Sequence, residues 1–420
     1  MDYSIIKKIA FDCVRRDRVA YRKADVLTLA HDNDRHLIYS GRYYAPIVDS
    51  IQDDLVALGL QCISVARIAS RLKGDLTYGY VVSPEGAFAR ALLGKRLKSL
   101  WMRKGYPYSK MEEAIWNQIL EKTGAKAVVG ILPSRELCHV CAKRGIWVAD
   151  MQHGVIADRH PWYGASFRGN DPTSRVPRAF LCWDQGSKDV IDKWAKNKGV
   201  DSHVIGNRWI ARFRSTSETD VMIRDLSMEF TKQRLSESQA TAILVSLSWG
   251  EKGIQNGFIP PGLEQCIEKT SKEIKWYIRL HPNQLRGFAT EESTRFFRYY
   301  DRKLVAHSSW KEATSAPLPA VLKNVDLHIS WGSSVCIEAS QMGVRTALLN
   351  PALQEESVQG DYYQYYRSKG TIDLIADDEK KIKQWIYFSL NKKLVPESYS
   401  QWNNNYNQIL ESIKCRVKST

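Results

Sequence analysis

The chain has 420 residues, 44% hydrophobic and 25% charged, which is enough for two globular domains, and its net charge of +15 points to anionic partners. No apolar run reaches the roughly 18–20 residues that cross a bilayer. Charges interrupt the N-terminal segment MDYSIIKKIAFDCVRRDRV, so no signal peptide is read and the expected location is the cytoplasm.

In chain order, short β-branched runs alternate with helical stretches, the pattern of parallel sheets built from βαβ units. HLIYS at 36–40 predicts a strand, 45–58 a helix and CISVAR at 62–67 a strand. Residues 86–110 hold seven Lys or Arg and no acid, with Phe88, Leu92, Leu93, Leu97, Leu100 and Trp101 at helical spacing. Such a basic helix either lies on a membrane surface or packs on a domain with its charges in water. A helix at 110–123 precedes the strand AVVGIL at 127–132, and a helix at 134–144 precedes the strand IWVADMQ at 146–152. RAFLCWD at 178–184 and SHVIG at 202–206 are the next two strands.

Residues 207–240 are polar and helical and read as a linker. The alternation then restarts with strands in TAILVSLS at 241–248, WYIRL at 276–280, DLHIS at 326–330 and RTALLN at 345–350. Helices are expected at 261–271, from about 334, and twice within 377–418. The expected organisation is an N-terminal Rossmann-like domain (1–206), a linker (207–240), a C-terminal Rossmann-like domain (241–375) and terminal helices (376–420). Two such halves are expected to face a central cleft. The eight cysteines are scattered, and the single CxxC of Cys138 and Cys141 has no second pair, so no metal site is read.

Four segments carry chemistry. His281, Pro282 and Asn283 follow a strand directly, and His281 is placed there to donate to a phosphate or ribose oxygen. Gly332, Ser333 and Ser334 link a strand to a helix bearing Glu338; a tight turn at Gly332 and a serine N-cap would make an anion site. Asp150, Gln152 and His153 close another strand ahead of Gly154. A strand-end carboxylate near a histidine can serve as base, nucleophile or acid, so Asp150 and His153 are the catalytic candidates. Arg159, His160 and Tyr163 could complete a sugar pocket beside them, and Arg208, after Gly206, could meet an anion. The adjacent pairs Asp53, Asp54 and Asp377, Asp378 fall in helical contexts, not in a metal-binding strand-end loop.

His281-Pro282, followed about fifty residues later by Ser333-Ser334, resembles the two cytidine-nucleotide motifs of bacterial sialyltransferases and Kdo transferases with the GT-B fold. SSVCIEASQMGVRTALLNP is similar to the donor-site helix and following strand of many GT-B enzymes, and Gln152-His153-Gly154 resembles a motif of capsule and lipopolysaccharide glycosyltransferases. The resemblance implies a C-terminal domain that holds CMP through His281, Ser333 and Ser334, with Glu338 near the ribose. It implies an N-terminal domain that holds the saccharide or glycolipid acceptor and the catalytic carboxylate. The acidic pair that polysialyltransferase-like enzymes place before a glycine is absent here, which favours a Kdo-type donor. Gln152, Arg159, Arg208 and Arg279 are candidates for binding substrate, including the ulosonic carboxylate.

The resulting expectation is transfer of Kdo from CMP-Kdo, without a required metal or cofactor, at the cytoplasmic face of the inner membrane with peripheral contact to it. A GT-B transferase or epimerase using UDP-hexose, GDP-hexose or CMP-sialic acid is the alternative enzyme. A surface-polysaccharide scaffold that binds nucleotide without turnover is the non-catalytic reading. Nucleic acid is not an expected partner, because no aromatic and basic stacking platform is present.

Overall fold

The computed structural model describes residues 3–14, 19–66, 70, 72, 74–102, 107–215, 220–237, 241–248, 253–254, 257–285, 290–354, 357, 359–392, 394 and 399–419. The chain forms two compact units. The first comprises residues 1–156, 161–208 and 400–420; the second comprises 157–160 and 209–399.

The first unit is built on β1 (Val26–Leu29), the hairpin β2 (Leu37–Tyr39) and β3 (Arg42–Tyr44), then β4 (Cys62–Val65), β5 (Val81–Val82), β6 (Ala127–Gly130), β7 (Trp147–Met151), β8 (Ala179–Cys182) and β9 (Asp201–Val204). Seven of these form one parallel sheet in the order β5-β4-β1-β6-β7-β8-β9. Its inner strands β1, β6 and β8 are buried throughout because both faces are covered. Alternate residues divide between two cores. Leu27, Val128 and Val148 pack on one face with Trp116, Leu137 and Val140. Val26, Val129 and Ala149 pack on the other with Val48, Ile51 and Leu55. Local signals set the helix ends: Ser109 caps Lys110–Thr123, which stops at Gly124 with φ 75°, and Ser134 caps Arg135–Arg144.

The second unit holds β10 (Thr241–Ser246), β11 (Ile274–Arg279), β12 (Leu327–Ser330), β13 (Arg345–Leu348) and β14 (Ile372–Leu374). They form a parallel sheet in the order β11-β10-β12-β13-β14. Ile243, Val245, Trp276, Ile278 and Ile329 face one core, and Ala242, Leu244 and Tyr277 the other. This is the doubly wound arrangement expected of a Rossmann-like domain.

Three expectations change. HLIYS does not enter the parallel sheet; Leu37–Tyr39 pairs antiparallel with Arg42–Tyr44. The first strand of the sheet is instead VLTL, Val26–Leu29. The segment read as a linker, 207–240, belongs to the second unit from Trp209 onward, where Phe230 of the helix Val221–Leu235 is buried in the core. The two terminal helices part company. Ile382, Trp385 and Ile386 of Glu379–Leu390 complete a core of the second unit, whereas Tyr406, Ile409, Leu410 and Ile413 of Ser400–Lys418 complete one in the first.

Candidate active site

In open α/β sheets a ligand settles beyond the carboxyl ends of the strands, where the strand order reverses. That point falls between β1 and β6 in the first unit and between β10 and β12 in the second. Each is furnished with polar residues.

In the first unit β6 runs tightly beside β1. A Cβ on Gly130 would meet the backbone nitrogen of Leu29 at 2.5 Å, so only glycine fits. Two residues later Leu132 has φ 48°, left-handed backbone that costs a non-glycine residue on the order of 1–3 kcal/mol. Asp150 of β7 holds that turn. Its Oδ1 accepts the Leu132 N–H at 2.9 Å, and its Oδ2 lies 3.9 Å from the Arg168 guanidinium. Asp150 is fully buried. The carboxylate expected to do chemistry is thus placed to shape the loop over β6.

Gln152 is likewise internal. Its amide nitrogen donates to the Gly154 carbonyl at 2.8 Å and the Ser187 hydroxyl at 3.0 Å, and its carbonyl accepts the Trp183 N–H at 2.6 Å. These bonds order the strand-end turn that carries its neighbour.

That neighbour is His153, half-buried at the end of β7. Its ring stacks on Trp162 at 5.8 Å, and its Nδ1 lies 2.5 Å from the hydroxyl of buried Tyr163. Burial pushes the imidazole below its ordinary 6.5, opposed by the carboxylate of Asp34. The ring is therefore neutral at pH 7, and the Tyr163 hydroxyl fixes its tautomer: Nε2 is a base where Nδ1–H donates to Tyr163 and a donor where Tyr163 donates to Nδ1. The sequence reading did not single out Asp34. It lies in the loop after β1, where its Oδ2 accepts the His31 N–H at 2.7 Å. The signal was present: His31-Asp32-Asn33-Asp34 is a polar run placed directly after an apolar one.

In the second unit β11 ends at Arg279, and Pro282–Leu285 forms a 3₁₀ turn. The Nδ1 of His281 accepts the Asn283 N–H at 3.1 Å. A backbone N–H can only donate, so the neutral ring carries its proton on Nε2. His281 is then a donor, as a phosphate contact requires. Gln284 closes the turn by accepting the His281 N–H at 2.8 Å.

β12 ends at Ser330. Its hydroxyl donates to the Ser246 carbonyl at 2.9 Å across the strand pair and accepts the Ser333 N–H at 3.1 Å. Ser333 accepts the Val335 N–H at 3.3 Å, and the Tyr363 hydroxyl donates to the Gly332 carbonyl at 2.9 Å. Both serines expected at the N-cap take part in the turn. Ser334 stands at the helix N-cap with helical backbone and no side-chain cap bond, so the cap-like bond belongs to Ser333. Gly332 turns without a positive φ. One strand, β10, separates the His281 and Ser333 loops. At ~4.8 Å per strand they stand roughly 10 Å apart, the reach of a nucleoside phosphate.

Each candidate arginine makes contacts within the fold. Arg279 donates to the carbonyls of Ala313 and Ala316, the latter at 2.7 Å. Burial lowers its guanidinium to about 10, and the nearby Glu338 opposes the shift. Arg208 stacks 3.8 Å over Tyr406 and donates to Asn403 at 2.8 Å, pinning the C-terminal helix. Arg159, on the short segment that groups with the second unit, bonds to Asp361 and the Ser357 carbonyl. His160 meets Tyr362 beside it.

Among the described residues no group of three His, Cys, Asp or Glu side chains is arranged to hold a metal ion. Cys138 and Cys141 are buried, and burial pushes the Cys138 thiol up to about 12. Asp377 caps the helix Pro261–Thr270 through the Gly262 and Leu263 N–H groups. A surface hollow bounded by Gly124, Lys126, Trp147 and Arg416 lies at the amino ends of β6 and β7, away from these clusters.

No family model matches the chain, and a search of curated proteins finds no match. Solved structures do resemble it. The chain is similar to the UDP-GlcNAc 2-epimerase from Methanocaldococcus jannaschii (TM-score 0.52, 11% identity, covering 93% of this chain and 99% of that one). It is similar to the wall teichoic acid polymerase TagF (TM-score 0.56, 10% identity, 98% and 93% covered). It is also similar to the glycotransferase of kitacinnamycin (TM-score 0.54, 12% identity, 94% and 99% covered). The fold is GT-B, the fold of these epimerase and glycosyltransferase structures.

Proposed function

We propose that the protein is a GT-B glycosyltransferase that moves Kdo from CMP-Kdo to a saccharide or glycolipid acceptor in capsule or lipopolysaccharide synthesis. The observation that carries the reading is the pair of donor loops on one sheet: His281, with its proton on Nε2, after β11, and Ser333 with Ser334 after β12. Together they suit an anionic leaving group. In the reaction the acceptor oxygen bonds to the anomeric carbon, the carbon–oxygen bond to the phosphate breaks, and CMP departs. His281 and the donors around Ser333 and Ser334 stabilise the growing phosphate charge. His153 takes the acceptor proton at Nε2, and Asp34 favours the imidazolium that results. Asp150 and Gln152 position His153 and the adjoining loop. Because charge stabilisation is assigned to protein donors, turnover is expected to survive EDTA.

The test is calorimetric titration with CMP, UDP and GDP on the protein and on His281→Ala, followed by a Kdo-transfer assay. Preference for CMP that disappears in the variant supports the reading. Preference for UDP or GDP overturns the Kdo donor and leaves the second reading, a transferase or epimerase of another nucleotide sugar. That alternative draws support from the resemblance to UDP-GlcNAc 2-epimerases, one of them bound to UDP-GlcNAc.

A further inference from the structure

The helix Glu85–Met102 changes character along its length. Its first turns are anchored: Phe88, Ala89 and Ala91 are buried, and Phe88 meets Trp116 at 5.1 Å. Beyond that point the side chains turn outward. Leu93, Leu97 and Leu100 are 48%, 60% and 78% exposed. Spacings of four and three residues set them in one stripe along the helix. The helix Tyr3–Val14 lies beside it, with Arg90 donating to the Cys13 carbonyl at 2.9 Å. That helix adds Phe11 and Val14, also exposed. Five large apolar side chains on two neighbouring helices are more than the scattered single exposures that need no explanation.

The charge around the stripe narrows the choice of partner. Lys95 is held within the fold by Glu112 and Glu136. Arg96 and Lys98 are exposed on the same turns as the leucines. From residue 86 to 110 the sequence carries seven cations and no acid. A second copy of this chain would bring an equally basic face against it, which repels. Nucleic acid would leave the leucines without a partner. A surface that offers phosphates above an apolar layer satisfies both residue types at once. No helix among the described residues is long and apolar enough to cross a membrane, so the contact is one of lying on the surface.

We infer that the stripe of Leu93, Leu97 and Leu100, with Arg96 on its flank, Lys98 on the same turns and the exposed Phe11 and Val14 on the neighbouring helix, docks the first unit onto an anionic lipid bilayer. The leucines enter the headgroup boundary and the cations meet lipid phosphates. The inference stands apart from the transfer reaction and does not depend on which nucleotide sugar is used.

The experiment is flotation of the full chain with vesicles of phosphatidylcholine alone and of phosphatidylcholine mixed with phosphatidylglycerol. Binding is expected only with the anionic lipid and is expected to weaken as salt is raised. Two variants isolate the two components: Leu93→Ser with Leu97→Ser and Leu100→Ser, and Arg96→Glu with Lys98→Glu. All five positions are exposed, so circular dichroism and melting should stay as in the parent. Each variant should lose about tenfold or more in partitioning. Absence of anionic-vesicle binding, or binding that neither variant changes, overturns the inference. Leucine-dependent self-association seen by sedimentation without vesicles also overturns it, and assigns the stripe to a second copy.

Discussion

At the residue scale the first question is whether His153 is the base and Asp34 its partner. His153→Ala should lower turnover by about 10²–10⁴-fold, the usual size of a lost general base. Asp150→Asn keeps an oxygen that can accept from Leu132, so its loss should be about tenfold or less; a loss equal to that of His153→Ala would return the chemistry to Asp150. The pH profile separates the roles further. Burial lowers the His153 pKa below 6.5, so kcat/KM should rise with pH through a limb below that value and be flat near neutrality. Asp34 raises that pKa, so Asp34→Asn should move the limb to lower pH. An unmoved limb would show that Asp34 does not act through His153. A second histidine gives a stability signal. His328, buried in β12, is pushed by burial from 6.5 to about 3. The folded state keeps it neutral while the unfolded chain takes up a proton below 6.5. Stability is therefore full above 6.5 and lost as pH falls toward 3, by at most ~1.4 kcal/mol per pH unit. Urea midpoints of the parent and of His328→Leu, compared at pH 7 and pH 4, should diverge in that direction.

At the scale of elements, the buried strands were legible and the turns that arm them were not. AVVGIL, IWVADMQ, RAFLCWD, TAILVSLS, WYIRL, DLHIS and RTALLN all contain strands, because a strand covered on both faces reads as an unbroken apolar run. VLTL escaped notice at four residues, although it is the strand on which the sheet reverses order. HLIYS also reads as a strand, yet its last residue Ser40 and the following Gly41, both with positive φ, fold it into a hairpin. The site was half legible for a similar reason. A strand-end histidine announces itself in the sequence. Whether a strand-end carboxylate turns inward, like Asp150, depends on partners that arrive from other segments, here Leu132 and Arg168. The hairpin itself is tied down by such a partnership. Arg35, just before it, pairs with Asp49 at 2.9 Å and with Ser64 at 2.6 Å, and both charged side chains are buried. Removing one charge strands the other, so Arg35→Met should cost roughly 3–5 kcal/mol in chemical denaturation. Arg35→Met with Asp49→Leu should recover much of that loss, since an apolar pair can replace a buried ion pair. Equal losses in both variants would mean that shape, not charge, holds this corner.

At the scale of the whole chain, the sequence showed two sheet-building halves and two terminal helices, but not which core each helix joins. An amphipathic pattern states that a face will be buried, not against what. The last helix, Ser400–Lys418, returns to the first unit after the chain has built the second. There Tyr406 donates to Asp54 at 2.6 Å, Asn405 donates to the Val204 carbonyl at 3.0 Å, and Ile409, Leu410 and Ile413 close a core. The second unit needs nothing from this helix, since its own cores are filled by residues that end with the helix Glu379–Leu390. A chain ending at Tyr399 should therefore lose stability unevenly. The first unit, left with an open apolar face, should melt at a lower temperature, and its tryptophans should report the change. The second unit should keep a cooperative transition and, if the donor reading holds, its nucleotide affinity in calorimetry. Retained nucleotide binding alongside the loss of the first transition would establish that the donor loops of His281 and Ser333 fold independently of the helix that ends the chain. Simultaneous loss of both would mean that the two units, though built on separate cores, are stable only as one cooperative body.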